Sequence, residues 1–333
     1  MKNNLSVIDF GKYIIFVVIP AFKVEREIGE VLTTLPGFVS RIIVVNDASP
    51  DRTAEIVAQH ARRDERIILI NHERNQGVGG AMITGFQRAI ELNAQIVIKI
   101  DGDGQMSPED ISEIITPLIQ GKADYTKGNR FSDFQALSQM PLIRRIGNLA
   151  LSFMTKAATG YWNCFDPANG FLAIRREILL LLNLNKIHKA FFFETSMLSQ
   201  LYLLGAYVQD VPIPARYRNE KSNLSIVKVL AEFPIMLSVV FIRRLLFKYY
   251  LYDFSIASVY LLAGLPLLLF GIFFGGYNWA YYAKLGIGAP TGTIIISMLS
   301  LMLGFQILLA AIAIDLNSVP REPISSEAPI PHL

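Results

Sequence analysis

The chain has 333 residues, 52% of them hydrophobic, and a formal net charge of +3. With 31 basic residues against 28 acidic ones there is no global polycation, so nucleic acid is not an expected partner. A single cysteine, Cys164, excludes an intramolecular disulfide framework and a cysteine-based zinc site, and His60, His72, His188 and His332 lack metal-ligand spacing.

The mean hydropathy of +0.38 is high for a soluble chain, and the excess is concentrated rather than spread. From Met1 to about Ser225 charged and apolar residues mix; from Ile226 onward charge almost disappears. That shift marks the main domain boundary. The start, Met1 to Lys12, is polar and does not read as a signal peptide, so a cytosolic catalytic part is expected.

Tyr13–Ile19 is short, β-branched and wholly apolar, ending at Pro20, and predicts a buried parallel strand. A helical pattern follows over Glu25–Leu35, a second strand over Arg41–Asn46, and a helix over Thr53–Arg63 entered from the Ser49-Pro50-Asp51 turn. Ile67–Asn71 predicts a third strand, Gly79–Leu92 a third helix and Ile96–Ile100 a fourth strand. Alternation at this spacing implies an α/β parallel sheet. Ligands of such sheets bind beyond the carboxyl ends of the strands, which singles out Asp47, Asn75, Gly77, Asp101 and Asp103.

Asp101-Gly102-Asp103-Gly104-Gln105 is the sharpest of these features. Glycine lets the backbone bend so that carboxylates converge. Mg²⁺ and similar hard cations take one or two carboxylates plus substrate phosphates. A solvated acidic turn would look the same in isolation; its place after a buried strand argues for a metal site. The Asn75-Gln76-Gly77-Val78-Gly79-Gly80 stretch suits close backbone approach to a ligand at a helix N-terminus, or equally a plain loop and helix start.

Residues 226–252 are broken by Lys228, Glu232, Pro234 and Arg243–Arg244, and read as one or two amphipathic helices lying in a membrane interface, or as ordinary helices packed on the catalytic domain. Two uncharged runs follow within 253–315, about 254–277 and 290–314, each long enough for a bilayer core of ~30 Å. Trp279, Tyr281 and Tyr282 between them suit an interfacial belt. Arg243, Arg244 and Lys248 before the first run put that side in the cytoplasm by the positive-inside rule. The proline-rich stretch 316–333 is expected to be a disordered tail.

Seven motifs in order, VVIPAF (Val17–Phe22), VVNDASPDRT (Val44–Thr53), NQGVGGA (Asn75–Ala81), DGDGQ (Asp101–Gln105), KGNRF (Lys127–Phe131), DPANGF (Asp166–Phe171) and VPIPARYRNEKSNLS (Val211–Ser225), resemble those of family 2 glycosyltransferases. Within that family the chain is similar to polyprenyl-phosphate glycosyltransferases such as dolichyl-phosphate mannose synthase and the bacterial undecaprenyl-phosphate enzymes. The resemblance implies a GT-A fold (Rossmann-like, mainly parallel) over residues 1–225, followed by the interfacial helices and two transmembrane helices, in a bacterial inner membrane. It implies inverting transfer of a hexose from a UDP-glucose or GDP-mannose type donor to a polyprenyl phosphate at the cytoplasmic face, with Mg²⁺ or Mn²⁺ as cofactor.

By the same resemblance Pro20, Ala21 and Asp47 contact the nucleoside. Lys23 and Val24 replace the usual Asn-Glu, leaving Glu25 as the nearest acid. Asp101, Asp103 and Gln105 match the metal and diphosphate motif, Arg130 the arginine facing the phosphates, and Asp166 the acid beside the transferred sugar. Arg216, Arg218 and Ser222, with Lys221, match the loop that takes the lipid phosphate. A phosphate monoester, with a second pKa near ~6, is largely ionised at neutral pH and needs placement more than a base. A hydroxyl acceptor would need one, with Asp166 first in line and Glu194 second. Asp166 is thus read as base or as sugar orienter, with the second preferred. Addition to a lipid-linked saccharide, a processive synthase and a non-catalytic scaffold stand as rivals, and a homo-oligomer is left open.

Overall fold

In a computed structural model of the protein, residues 8–130, 142–167, 169–214 and 226–324 are described. They form two compact units, one running to Phe241 and taking in the chain again from Pro320, the other spanning Ile242–Val319.

The first unit is built on a seven-stranded sheet: β1 (Ile15–Ala21), β2 (Arg41–Asn46), β3 (Ile67–Asn71), β4 (Ile96–Lys99), β5 (Tyr125–Asn129), β6 (Leu172–Arg175) and β7 (Val208–Pro212), in the order β3-β2-β1-β4-β6-β5-β7. β1 pairs in parallel with both β2 and β4, and β5 with β7; only β6 runs against its neighbours. The mainly parallel sheet expected from the sequence is thus present, with one reversed strand that the apolar pattern does not announce.

The pattern of β1 explains its central place. Ile15, Val17 and Ile19 are fully buried on one face, against α1 (Ile28–Thr34), Val57 of α2 (Thr53–Ala61) and α4 (Ile111–Ile119). Val18 points the other way, towards Gly85 of α3 (Val78–Glu91). A strand covered on both faces needs apolar residues at every position, which is what YIIFVVI supplies. Order reverses between β1 and β4, so a crevice opens beyond their carboxyl ends. Later helices line one side of it: α5 (Leu142–Thr159), α7 (Phe193–Leu204) after the short α6 (Arg176–Leu181), and α8 (Ile226–Leu246). Ala158, Phe192 and Leu237 join α5, the entry to α7 and α8 in one small core.

The tail expected to be disordered begins otherwise. Its first residues finish a helix, and the Ile324 amide donates to Asp124 Oδ2 at 2.8 Å, beside the Tyr207 amide at 2.9 Å. Residues 325–333 lie outside the described part.

The second unit holds α9 (Ile256–Leu285) and α10 (Thr291–Asn317), reached from α8 through a π-helical turn, Phe247–Tyr252. α9 opens with a capping box between Ser255 and Ser258. The two helices have 30 and 27 residues, about 45 and 40 Å at ~1.5 Å per residue, against a bilayer core of ~30 Å. Only 22% and 17% of their most apolar windows are buried, which sets them apart from core helices of a soluble domain. Arg244, counted above as a surface cation, is fully buried: its Nη1 and Nη2 donate to Asp315 Oδ1 and Oδ2 at 2.6 and 3.0 Å, and Tyr249 Oη donates to Oδ1 at 2.6 Å. The surface charge of this segment therefore comes from Arg243, whose guanidinium lies 5.4 Å from the Phe247 ring, and Lys248.

Candidate active site

A cavity of about 790 Å³ occupies the crevice. Pro20 and Ala21 reach it from the end of β1, Asp47 from β2, Asn75 and Gly77 from the loop after β3, and Lys99, Asp101 and Asp103 from the end of β4. Leu151 and Thr155 of α5, Phe191, Glu194 and Thr195 around the start of α7, and Phe233 of α8 line the rest. Charged and polar groups share the lining with apolar side chains.

Asp47 is 3% exposed and its carboxylate is already engaged. Oδ1 bonds His72 Nδ1 at 2.7 Å and accepts from the Gln76 amide at 2.8 Å; Oδ2 accepts from the Gly77 amide at 2.8 Å. His72 Nε2 lies 2.9 Å from Thr84 Oγ1. Asp47 therefore fixes the loop that walls the cavity. The glycines in the first turn of α3 answer a close approach within the protein. A Cβ on Gly79 would stand 2.1 Å from the His188 carbonyl oxygen, and the Gly80 amide donates to the Lys189 carbonyl at 2.9 Å.

The segment after β1 is tied to the segment after β2. Lys23, in the left-handed region at φ 58°, donates its amide to Ser49 Oγ at 2.7 Å, and the Glu25 amide donates to Asp51 Oδ2 at 3.3 Å. Glu25 Oε2 accepts from the Arg52 amide at 3.0 Å. Glu25 is thus placed in this lattice and outside the cavity lining, whereas Lys23 and Val24 are part of it. Asp51 gathers Ser49 Oγ and Thr53 Oγ1, each at 2.6 Å. Burial pushes its carboxyl up, but these hydrogen bonds outweigh it and hold the group below its ordinary value of 3.8.

Asp101 Oδ1 accepts from Lys99 Nζ at 2.6 Å, and Asp103 Oδ1 accepts from the Gln105 amide at 3.0 Å. Gln105 itself is exposed and does not line the cavity. Among the described residues no group of three His, Cys, Asp or Glu side chains converges on one point. Two carboxylates at the edge of a large cavity are a donor set that fits a hard divalent cation completing its shell with water and phosphate oxygens. Asp101 and Asp103 would hold such an ion.

Arg130 and Asp166 are brought together, but with each other. Arg130 Nε and Nη2 donate to Asp166 Oδ2 and Oδ1 at 2.8 and 3.2 Å, a two-pronged ion pair in which Asp166 is 1% exposed. Neither residue lines the cavity. Arg216, Arg218 and Ser222 lie outside the described residues, as does Lys221.

Lys99, which no sequence motif singles out, ends an apolar strand and is 1% exposed. Glu194, expected only as a second base, has its carboxylate 3.4 Å from Lys99 Nζ in the cavity wall. A lysine inside the otherwise apolar run Ile96–Ile100 is the signal that could have found Lys99; nothing local singles out its pairing with Glu194.

The family model for glycosyl transferase family 2 matches residues 16–181. A relative from Methanococcus voltae, a UDP-N-acetylglucosamine–dolichyl-phosphate N-acetylglucosaminyltransferase, is 35% identical over 183 residues, 51% of this chain and 72% of the relative. The undecaprenyl-phosphate mannosyltransferase of Micrococcus luteus is 28% identical, over 52% of this chain and 71% of its own length. Among solved structures, glucosyl-3-phosphoglycerate synthase of Mycobacterium tuberculosis, in complex with Mn²⁺, UDP and glucosyl-3-phosphoglycerate, superposes with a TM-score of 0.52 at 17% identity, covering 70% of this chain and 80% of that one. That likeness establishes the GT-A fold. With the fold, the cavity at the strand ends and the similarity to lipid-phosphate sugar transferases in hand, the chain belongs to glycosyl transferase family 2 and is a glycosyltransferase.

Proposed function

We propose that the protein transfers a hexose, with inversion, from a nucleotide-sugar of the UDP-glucose or GDP-mannose type to a polyprenyl phosphate at the cytoplasmic face of a membrane. The observation that carries this reading is a cavity lined both by the carboxylates Asp101 and Asp103 and by the apolar side chains Leu151, Phe191 and Phe233. A nucleoside diphosphate with its cation suits the carboxylates, and the isoprenoid of a polyprenyl phosphate suits the apolar side chains. The helices α9 and α10 supply the anchor.

Each part of the chain then has a task. Asp47 holds the loop at Gln76 and Gly77 against which the nucleoside lies. Asp101 and Asp103 bind the divalent cation, Mg²⁺ or Mn²⁺, which when bound neutralises charge on the departing diphosphate. The nucleophile is a phosphate oxygen that is already ionised. Both carboxylates considered as bases, Asp166 and Glu194, lie against a cation, Arg130 and Lys99 respectively. That favours an acceptor needing no base over a sugar hydroxyl. The loop with Arg216, Arg218 and Ser222 is assigned to the lipid phosphate, and Arg130 is assigned to holding Asp166.

The test is one set of incubations of the purified protein with Mn²⁺ or Mg²⁺, radiolabelled UDP-glucose, UDP-N-acetylglucosamine and GDP-mannose, and undecaprenyl phosphate. Label entering the lipid phase with one donor is expected. Transfer only when a lipid-linked saccharide is supplied would replace the proposed acceptor, and no transfer to either lipid would sink the reading.

A further inference from the structure

Lys99 is the least expected residue of the cavity. It ends the strand Ile96–Lys99, all four residues of which are buried. An ammonium has three donors. Here Nζ meets Asp101 Oδ1 at 2.6 Å, the Gly170 carbonyl at 3.2 Å and Glu194 Oε1 at 3.4 Å. These acceptors come from three places: the loop after β4, the entry to β6 and the first turn of α7. Glycine at 170 is the condition for this packing. A Cβ there would lie 2.5 Å from Lys99 Nζ and 2.6 Å from Asp101 Oδ2.

Asp101 and Glu194 are the open sides of the arrangement, with side chains 31% and 12% exposed, and both line the cavity. Without Lys99, Asp101, Asp103 and Glu194 would present uncompensated negative charge to an anionic ligand. We infer that Lys99 is a positioning residue for the donor diphosphate: it pins Asp101 through one carboxylate oxygen, so that the other is the one left for a cation, and it cancels the charge of Glu194 in the opposite wall. Lys99 acts through these two carboxylates and not by touching the sugar. The inference rests on the nucleotide-sugar reading of the cavity.

The test uses the full chain in detergent, with UDP and GDP as probes, and calorimetric titration of nucleotide binding against Mn²⁺ concentration. The wild-type protein is expected to bind one nucleotide more tightly as Mn²⁺ rises. Lys99→Met should raise the Mn²⁺ concentration needed by about 10–100-fold, the range for a residue that orients a metal ligand. Lys99→Arg, which keeps the charge, should recover most of that loss. In the Lys99→Met background Glu194→Gln should restore nucleotide affinity in part, because it removes the charge left without its counter-ion. If Lys99→Met does not fold, the double variant, which carries neither charge, is expected to fold and to keep the weakened Mn²⁺ response. An unchanged Mn²⁺ response in the folded single or double variant overturns the positioning role while leaving the nucleotide reading in place. Wild-type protein that binds neither nucleotide overturns both.

Discussion

Two buried basic residues, one in each unit, are each paired with carboxylates and do different things. Arg244 is fully buried, and its partner Asp315 has a side chain only 9% exposed and a third group, Tyr249, on the same oxygen. Lys99 is as deeply buried, yet its partners Asp101 and Glu194 open onto a cavity of about 790 Å³. A sealed pair has no spare oxygen within reach of a ligand. It joins Arg244 of α8 to the far end of α10, and its chemistry ends there. An open pair keeps oxygens for something that comes and goes. The number of faces left to solvent, more than the charge or the depth of the cation, separates a staple from a site.

The sharpest way to break this distinction is Arg244→Met. It leaves Asp315 buried opposite an apolar side chain and should cost about 3–5 kcal/mol, read as a fall in the unfolding temperature of the helical unit in detergent. Transfer per folded molecule should change little; a large loss would mean the sealed pair also serves the reaction. Asp103→Ala is the mirror experiment. It should lower turnover by roughly 10²–10³-fold, because it removes a carboxylate that would hold the cation stabilising the leaving diphosphate, with the melting curve hardly moved. Gly170→Ala sits between them. The added methyl must push against Lys99 and Asp101, costing about 1–3 kcal/mol of overpacking and roughly tenfold in turnover. If thermal stability falls and donor kinetics do not, the open pair is a staple as well.

The smallest effect is expected at Asp51. Its folded carboxyl lies below 3.8, so the stability it contributes is fully present above that value and is lost as pH falls through the lower folded one. Asp51→Asn should therefore lower stability slightly at neutral pH and flatten its decline on acidification below about pH 4, measured by urea unfolding at several pH values.

The first half of the sheet was legible because β1 and β2 are covered on both faces, so Tyr13–Ile19 and Ile42–Val45 are unbroken apolar runs; β2 and β3 fall on the residues expected. β5 was not, because Tyr125-Thr126-Lys127-Gly128-Asn129 is polar by composition and yet wholly buried. Lys127 Nζ is satisfied there by the Asn169 carbonyl, a partner distant in sequence. The same holds at the site. Asp101 and Asp103 announce themselves by their spacing and their place just after an apolar strand. That Asp47 is saturated by His72 and two amides, that Asp166 belongs to Arg130, and that Lys99 reaches Glu194 are facts of tertiary meeting, which no local pattern encodes. Arg244 shows the converse. Beside Arg243 it reads as one of a pair of surface cations, and only the return of α10 reveals that it is spoken for.

Asp124 is fully buried at the strand edge next to β5 and accepts from Tyr207, 83 residues away, and from Ile324, 200 residues away. During synthesis Tyr207 is available long before Ile324, and both apolar helices must be made in between. A chain growing from its N-terminus folds its early domain first. The hydrogen bond from Ile324 to Asp124 therefore closes only after α9 and α10 have left the ribosome. Completion of the fold becomes a late event that reports on the helical unit having been made.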